Sequence, residues 1–286
     1  MSRVVITGGS GKLGQACIRE LLDYGYEVVN VDYAPPREPL CRFLKVDLTD
    51  YGQVFEALAD IDGTNRVADA VVHLAAIVPG AATSAHLFHN NAVCSFNVFW
   101  AARKANIKNI VWASSEALQG VPFSNPPPYV PIDEDYPPLP ETAYALCKLV
   151  EENIAKQICR WDPELKMIGL RFSYVIEPTE YAEFAQVRNN PNLQTWNLWS
   201  YVDVRDCAQA VRLALRCSAK GFDTFLIAAS DSIMNEPNEE LLGKYFPNVP
   251  HKRVLEPHES LVSCERAKRL LGYQAHFSWR DEGSTE

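Results

Sequence analysis

The sequence predicts a doubly wound α/β fold, in which helices cover both faces of one parallel sheet. Seven short apolar runs lack the polar alternation of a half-exposed strand, as is typical of strands buried on both faces. Stretches with helical periodicity separate these runs, and a glycine-rich turn follows the first run. The predicted strands are residues 4–7, 27–32, 43–46, 70–75, 110–113, 167–172 and 224–228, and the predicted helices are 12–24, 51–58, 91–106 and 143–161.

Composition narrows the choice of partners and compartment. The chain has 286 residues, of which 47% are hydrophobic, and a formal net charge of −9. A negative protein is not attracted to nucleic acid or to an anionic membrane, and no apolar run reaches the length of a transmembrane helix. The eight cysteines form no C-x-x-C pair and show no metal-ligand spacing. We therefore expect a cytoplasmic protein with free thiols and no metal.

Glycines after the first strand indicate a phosphate-binding loop. Gly8, Gly11 and Gly14 form G-x-x-G-x-x-G before an amphipathic helix that begins near Lys12 and Leu13. Without side chains the backbone can turn sharply and approach a pyrophosphate, whose charge then lies at the positive end of the helix. The pattern alone is weak evidence, because a tight turn that only packs helix on strand can also carry it. The prediction of a Rossmann-like dinucleotide-binding domain therefore depends on residues further along the chain.

Two aspartates at strand ends favour a dinucleotide. Asp32 lies 24 residues after Gly8, where a carboxylate can accept hydrogen bonds from an adenosine ribose. The same carboxylate would repel the extra phosphate of NADP, so we predict NAD, although nearby Arg37 leaves NADP open. Asp47, followed by Leu48, is positioned to contact the adenine edge. The alternative for both aspartates is a turn-forming role.

Tyr144 and Lys148 form a candidate acid–base pair. They lie four residues apart in a predicted helix, so their side chains emerge on one face. A tyrosine with an ordinary pKa of about 10 must lose its proton near neutral pH to act as a base. Lowering its pKa by about 3 units requires about 4 kcal/mol of phenolate stabilisation. A neighbouring ammonium and a positively charged nicotinamide can supply it.

These motifs together resemble the extended short-chain dehydrogenase/reductase family, which includes the nucleotide-sugar epimerases and dehydratases. The resemblance implies that Tyr144 takes a proton from a substrate hydroxyl, that Ser115 positions the reacting oxygen, and that Lys148 lowers the Tyr144 pKa and orients the nicotinamide ribose. The presence of all three speaks against a regulatory protein that only senses a nucleotide. The matching segments are TGGSGKLG (7–14), VDL (46–48), VVHLAA (71–76), NAVCSFN (91–97), ASSEALQG (113–120), YALCK (144–148) and YVDVRDCAQA (201–210).

The resemblance also implies roles for residues beside the cofactor. Leu74, Ala75 and Ala76 correspond to the backbone stretch along which the cofactor passes close to the sheet. Asn91 corresponds to an asparagine that shapes a helix near the active site, or that supports a proton relay through Lys148. Members of the family often dimerise through two helices, here the third and fourth predicted ones, so a homodimer is a further expectation.

The later part of the chain predicts a small substrate-binding cap. Residues 1–172, with 201–229 returning to them, are expected to form the dinucleotide-binding domain. Residues 173–200 and 230–286 are expected to form a C-terminal cap over the carboxyl edge of the sheet. Eight of the 19 prolines lie between Pro122 and Pro140, which predicts a stiff surface loop without regular structure.

The size of the cap and two polar residues suggest the substrate. A short cap resembles the smaller sugar-oxidising members of the family, uronate dehydrogenases especially. Glu116 is a candidate polyol contact unless it points to solvent, and Arg188 could clamp a substrate carboxylate unless it is a surface residue. We expect an NAD-dependent oxidoreductase that takes hydride from a secondary or anomeric hydroxyl of a small carbohydrate. The alternative is a nucleotide-sugar epimerase or dehydratase with tightly bound NAD.

Overall fold

A computed structural model describes residues 2–59, 63, 66–123 and 125–282. Its main element is a seven-stranded sheet whose described strands all run parallel, in the order β3-β2-β1-β4-β5-β6-β9. Each of the seven predicted strands matches one of them, so the predicted doubly wound α/β fold is confirmed. The strands, including a separate β7-β8 pair, are β1 (Arg3–Thr7), β2 (Glu27–Asp32), β3 (Arg42–Lys45), β4 (Ala70–His73), β5 (Asn109–Ser115), β6 (Lys166–Phe172), β7 (Val175–Ile176), β8 (Val202–Asp203) and β9 (Gly221–Ile227).

Helices cover both faces of the sheet. On one face α1 (Lys12–Asp23) and α6 (Val204–Arg216) pack against the strands, and on the other α2 (Tyr51–Ala59), α3 (Ser84–Lys104) and α4 (Ala143–Trp161) do so. Within the described residues no helix is both long and apolar enough to cross a membrane. The remaining described helices are α5 (Phe184–Val187), α7 (Asn238–Tyr245), α8 (Glu265–Leu271) and α9 (Trp279–Glu282).

The strand order reverses at β1. β2 pairs with one edge of β1 and β4 with the other, so that Thr7 lies opposite His73. The crevice outside the carboxyl ends of such strands is the usual ligand position in an open α/β sheet. β5 is the neighbour of β4 and ends at Ser115. The end of β5 therefore reaches the same sheet edge as the glycine turn.

Residues outside the main sheet pack into a small apolar cluster. Ile176 and Phe184 come from the chain after β6, Ile233 and Trp279 come from the C-terminal region, and all four belong to one cluster with Tyr201. β7 and β8 pair in parallel. These contacts join the two segments that the sequence assigns to the cap, while the division of the chain into two domains stays a prediction.

The proline-rich segment is more buried than predicted. The Val130 amide donates to the Pro250 carbonyl oxygen and the Ile132 amide to that of Leu261, both at 2.9 Å. Val130 and Ile132 are buried in the core cluster that includes α1 and α6. The prediction of a surface loop is wrong here, because partners more than 100 residues away in sequence satisfy its backbone. In the described part of 120–142 no helix or strand forms, in agreement with the proline content.

Candidate active site

The glycine turn packs against the chain that leaves β4. Gly8 has a positive φ of 74°, and a Cβ there would lie 2.5 Å from the Ala75 nitrogen. A Cβ at Gly14 would lie 2.2 Å from the Gly8 carbonyl oxygen. Any larger residue at either position would push these segments apart. β4 ends at His73, two residues before its predicted end, and the chain that packs against the glycine turn follows directly.

The N-terminus of α1 offers backbone amides to an anion. Gly11 is its extended N-cap, and in the described residues no side chain caps the helix and no acidic side chain lies in its first turn. The positive end of the helix is therefore suited to a phosphate group. Lys12 Nζ donates to the two carboxylate oxygens of Glu180 at 2.6 and 2.5 Å, and Leu13 packs against the core. The turn thus fits a dinucleotide pyrophosphate.

Asp32 and Asp47 both bind backbone groups near them. Asp32 accepts hydrogen bonds from the Ser10 amide at 3.0 Å and the Ala34 amide at 3.3 Å, so its carboxylate lies beside the glycine turn. Asp47 accepts from the Thr49 amide at 2.9 Å and the Thr49 hydroxyl at 2.7 Å, which is a local turn. The contacts of the two aspartates with ribose and adenine stay predictions.

α3 holds two loops at this edge of the sheet. Asn91 accepts from the Ile77 amide at 2.8 Å and donates to the Ile77 carbonyl oxygen at 2.9 Å, which fixes the chain after β4. Asn97 donates to the Leu48 carbonyl oxygen at 2.9 Å. The helix starts at Ser84 rather than at residue 91, so Asn91 lies within it. In this structure Asn91 is thus a clamp on the backbone.

Ser115, Tyr144 and Lys148 come together at the carboxyl end of β5. The Ser115 hydroxyl accepts from the Ala117 amide at 3.1 Å and interacts with the Tyr144 phenol, whose pKa it lowers. Lys148 Nζ lies 5.7 Å from the centre of the Tyr144 ring and donates to the Ala113 carbonyl oxygen at 2.9 Å. The structure therefore brings together three groups that the sequence places on two different elements.

Ser114 has a different partner. Its hydroxyl donates to Glu152 Oε1 at 2.7 Å. Glu152 also accepts from Arg171 Nε at 2.9 Å and from Arg171 Nη2 at 2.8 Å, which makes a buried ion pair between α4 and β6. Ser115, and not Ser114, is thus the serine beside Tyr144.

Glu151, the buried partner of Lys148, is not among the residues predicted from the sequence. Lys148 Nζ donates to Glu151 Oε2 at 2.9 Å, and neither side chain is more than 3% exposed. Ser95 of α3 also hydrogen-bonds Glu151, and the Ser95 hydroxyl lies 3.0 Å from His73 Nε2. The available signal was the spacing from Lys148, because residues three apart share a helix face.

The phenol of Tyr144 keeps its proton in this environment. Burial raises the pKa of Tyr144 above its usual value of 10.0, Lys148 opposes that rise, and Glu151 adds to it. Burial would lower the pKa of Lys148, but Glu151 and Tyr144 raise it, so the ammonium stays charged. Lys148 therefore acts on Tyr144 in the predicted direction, yet burial outweighs it. Additional positive charge beside Tyr144 would favour its ionisation.

Glu116 and Arg188, the two candidate substrate contacts, are partly unpaired. Glu116 is only 4% exposed and does not point to solvent. Its Oε1 accepts from Asn197 Nδ2 at 3.1 Å, and its Oε2 is buried without a partner among the described residues. Burial raises the pKa of Glu116 from 4.5 to about 7. The Arg188 guanidinium lies 5.7 Å from the Trp279 ring centre, and in the described chain its Nε is buried without a partner.

The sequence pattern of the NAD dependent epimerase/dehydratase family matches residues 4–228. The chain belongs to this family. The match includes the glycine turn and the three clustered groups, and it confirms the resemblance and the prediction of an NAD-dependent enzyme. The glycine turn, the uncapped N-terminus of α1 and the position of Asp32 fit NAD. In the described part of this family member, no group of His, Cys, Asp or Glu side chains is arranged to hold a metal ion.

Similar curated proteins include UDP-glucose 4-epimerases. The Bacillus subtilis (strain 168) enzyme is 30% identical over 210 residues, which are 70% of this chain and 59% of that enzyme. The Lacticaseibacillus casei enzyme is 26% identical over 318 aligned positions, which cover 96% of this chain and 92% of that enzyme. This family member thus spans less than two thirds of the first relative and most of the second.

A solved structure gives a comparison of the fold. UDP-glucose 4-epimerase from Bifidobacterium longum, in complex with NAD+ and UDP, superimposes with a TM-score of 0.72 at 19% sequence identity. The superposition covers 98% of this family member and 95% of the Bifidobacterium chain. At this level of identity the similarity concerns the fold alone, and the expectation of a small substrate from the size of the cap stays a prediction.

Proposed function

We propose that this protein catalyses internal redox at a secondary hydroxyl of a nucleotide-linked sugar and retains its NAD. The observation that carries the proposal is the cluster of Ser115, Tyr144 and Lys148 at the sheet edge that holds the glycine turn. The curated relatives are UDP-glucose 4-epimerases, which favours this reaction over net oxidation of a free sugar.

Tyr144 is the proton acceptor in this mechanism. It takes the proton of the substrate hydroxyl, while Ser115, hydrogen-bonded to the phenol, holds the same substrate oxygen. The Lys148 ammonium, oriented by the Ala113 carbonyl, stabilises the phenolate. NAD held at the glycine turn would supply the hydride-transfer chemistry for both halves of this reaction. Tyr144 then gives its proton to the product oxygen, so the protein ends each turnover in its starting protonation state.

The ion pair between Lys12 and Glu180 supports retention of the cofactor. Lys12 lies in the first turn of α1, at the phosphate end, and Glu180 lies just after β7. Lys12 Nζ also donates to the Val175 carbonyl oxygen at 3.4 Å. The pair therefore ties the chain after β6 to the glycine turn. Such a link would slow the release of NAD. A reaction without net oxidation requires that NAD stay bound between turnovers.

Net oxidation of a free sugar or uronic acid is the second candidate. The Nε of Arg188, which is buried and has no partner among the described residues, favours it, because a guanidinium donor of this kind is suited to a carboxylate substrate. In that reaction reduced cofactor would accumulate in solution with each turnover. The two candidates therefore differ in a quantity that is simple to measure.

The experiment begins with the purified protein and no added cofactor. Nucleotide released by denaturation is identified, and the native protein is then incubated with a panel of UDP-sugars whose products are separated by chromatography. Epimerised product without accumulation of NADH is the expected result. A parallel panel of free sugars and uronic acids is followed at the absorbance band of NADH. Accumulation of NADH there, without epimerisation of any UDP-sugar, would establish the second candidate instead.

Tyr144→Phe is the direct test of the reaction centre. Loss of the phenolic base is expected to lower kcat by about 10²–10⁴, the usual contribution of general base catalysis. NAD content and thermal stability should stay near those of the wild type, since the ring remains. Tyr24→Phe is the matched control, because Tyr24 is exposed at the far end of α1. Equal turnover of the two variants would refute the role of Tyr144.

A homodimer through α3 and α4 is the proposed quaternary structure. Phe96 is 44% exposed, Leu146 is 46% exposed and Trp161 is 50% exposed on these adjacent helices. Trp100 stacks on Phe96 and contacts Trp161 edge-on, at ring distances of 6.0 and 6.2 Å. A contiguous apolar surface of this kind is typical of an interaction site. Sedimentation should give a dimer that Trp161→Glu dissociates, and a wild-type monomer would refute the proposal.

The cytoplasm is the proposed location of the protein. All eight cysteines are free thiols, and six of them are buried. Free thiols of this number are typical of a reducing compartment. Fractionation of cells should recover the protein with cytoplasmic enzymes, and its recovery outside the cytoplasm would refute the proposal.

A further inference from the structure

α4 carries two buried glutamates in succession whose partners differ. Glu152 accepts two hydrogen bonds from Arg171 and connects α4 to β6. Glu151 accepts instead from Lys148, a member of the reaction centre. The proposed proton transfer involves Ser115, Tyr144 and Lys148, and it requires no carboxylate at this position. A buried carboxylate is costly unless it is paired, so its presence beside Lys148 needs an explanation of its own.

The surroundings of Glu151 contain a single charged neighbour among the described groups that act on it. Burial, and then the charge of Lys148, lower the pKa of His73 to about 3, so this histidine is neutral. Burial raises the pKa values of the Cys147 and Cys94 thiols to about 12, so both are neutral as well. Ser95 contributes only a hydroxyl. The titratable groups that face Glu151 are Lys148, Tyr144 and Cys147 on α4, and Cys94 on α3.

The hydrogen bonds of Lys148 show how Glu151 acts on it. Lys148 Nζ donates to the Ala113 carbonyl oxygen and to Glu151 Oε2, both at 2.9 Å. These two bonds fix the position of the ammonium. The carboxylate also offsets its charge, at hydrogen-bonding distance. The electrostatic help that Lys148 can give a Tyr144 phenolate is therefore reduced.

We propose that Glu151 is a positioning residue that orients Lys148 and offsets its charge, so that Tyr144 stays protonated until the positive charge of an oxidised nicotinamide is added. The inference rests on the proposed function for its catalytic meaning. It links ionisation of the base to the presence of a hydride acceptor. A protein with reduced cofactor, or with none, would then hold a neutral Tyr144.

Glu151→Gln tests this role with little change in shape. The amide can still accept a hydrogen bond from Lys148 but carries no charge. Tyrosine labelled with ¹³C at Cζ reports ionisation by NMR, and the Tyr144 resonance is the one that is missing in Tyr144→Phe. In cofactor-free protein we expect the ionisation midpoint of Tyr144 to fall by about one pH unit or more, the usual effect of removing a nearby like charge. Glu151→Asp retains the charge and should restore the wild-type titration in large part.

The pH profile of kcat/KM is the second measurement. Its acidic limb should move to lower pH in Glu151→Gln, in parallel with the NMR midpoint. Glu152→Gln is the matched control, one residue away on the same helix and equally buried. It should lower stability by weakening the contact with Arg171, while the ionisation of Tyr144 stays unchanged. An unchanged Tyr144 midpoint in folded Glu151→Gln would overturn the inference.

A titration of the wild type keeps the inference testable if Glu151→Gln fails to fold. Tyr144 should remain a phenol up to about pH 9 without cofactor, since its pKa lies above the ordinary value of about 10, and NAD+ should lower its midpoint. A Tyr144 already ionised near neutral pH without NAD+ would overturn the inference. These NMR results do not depend on turnover. A lack of epimerase activity would therefore refute the proposed function and leave the electrostatic role of Glu151 measurable.

Discussion

The reaction centre is flanked by two buried glutamates in opposite surroundings, Glu151 on what we call the charged side and Glu116 on the neutral side. Glu151, beneath Tyr144, has the Lys148 ammonium as its partner. Glu116, next to Ser115 in sequence, has only uncharged described partners, the Asn197 amide and the Ser173 hydroxyl, and burial raises its pKa to about 7. Both side chains are almost completely buried. Burial raises the pKa of both carboxyl groups, but for Glu151 the Lys148 ammonium opposes that rise, so the partner as well as the depth determines the charge.

On the charged side, we expect the stability of the protein to require that each buried carboxylate keep its cationic partner. Arg171→Met leaves the buried Glu152 without its cation and should cost about 3–5 kcal/mol in the free energy of unfolding. Urea unfolding of the two proteins measures the difference. The double variant Arg171→Met/Glu152→Gln is the control, and it should recover much of the loss because no unpaired charge remains. If Arg171→Met were as stable as the wild type, the buried carboxylate of Glu152 would not need its cationic partner, and the two sides would not differ in this respect.

On the neutral side, the contribution of Glu116 to the free energy of unfolding should instead depend on pH. Because the pKa of Glu116 is raised from 4.5 to about 7, folding takes up a proton in this interval. The stabilisation is fully present below about pH 4.5 and is lost as the pH rises to about 7, at a cost of about 3 kcal/mol. Glu116→Gln should remove this dependence and be more stable than the wild type at pH 8. Urea unfolding at pH 5 and pH 8 measures it.

The control for this experiment is an exposed carboxylate of the same region. Glu183→Gln removes a charge from the chain after β7 without touching the buried cluster. Its free energy of unfolding should follow the pH dependence of the wild type. If Glu116→Gln did the same, the carboxyl group of Glu116 would not be the titrating group.

The smallest effect is expected at the ion pair between the glycine turn and the chain after β7. Glu180→Gln weakens the partly exposed ion pair with Lys12 and should change the free energy of unfolding by less than about 1 kcal/mol. NAD should nevertheless be lost faster during dialysis, because the chain after β7 is no longer tied to the glycine turn. Glu183→Gln again serves as the control. Equal retention of NAD in both variants would separate this ion pair from cofactor release.

The sequence was sufficient for features that depend on local spacing. The strands of the parallel sheet follow from apolar runs and helical stretches, and the positions of Gly8 and Gly14 follow from a turn that only glycine can make. Tyr144 and Lys148 share a helix face because they are four residues apart. Their meeting with Ser115 required only that parallel strands end at one edge of the sheet.

Features that depend on distant partners could not be predicted. Glu116 meets Asn197, 81 residues further along the chain, and no periodicity connects the two. The burial of Val130 depends on Pro250 in the same way. The pairing of Lys148 with Glu151 has suitable spacing, but the same spacing occurs on solvated helix faces. Burial made the difference, and it is set by the packing of α3 against α4.

The backbone contacts of Val130 and Ile132 also bear on the order of events during synthesis. The segment 130–132 precedes α4 closely, and its amides bond to Pro250 and Leu261. Tyr144 and Lys148 are synthesised more than 100 residues before Leu261. The stretch that leads into their helix then still lacks its final partners. The catalytic edge is therefore completed late, only after residue 261 has left the exit tunnel.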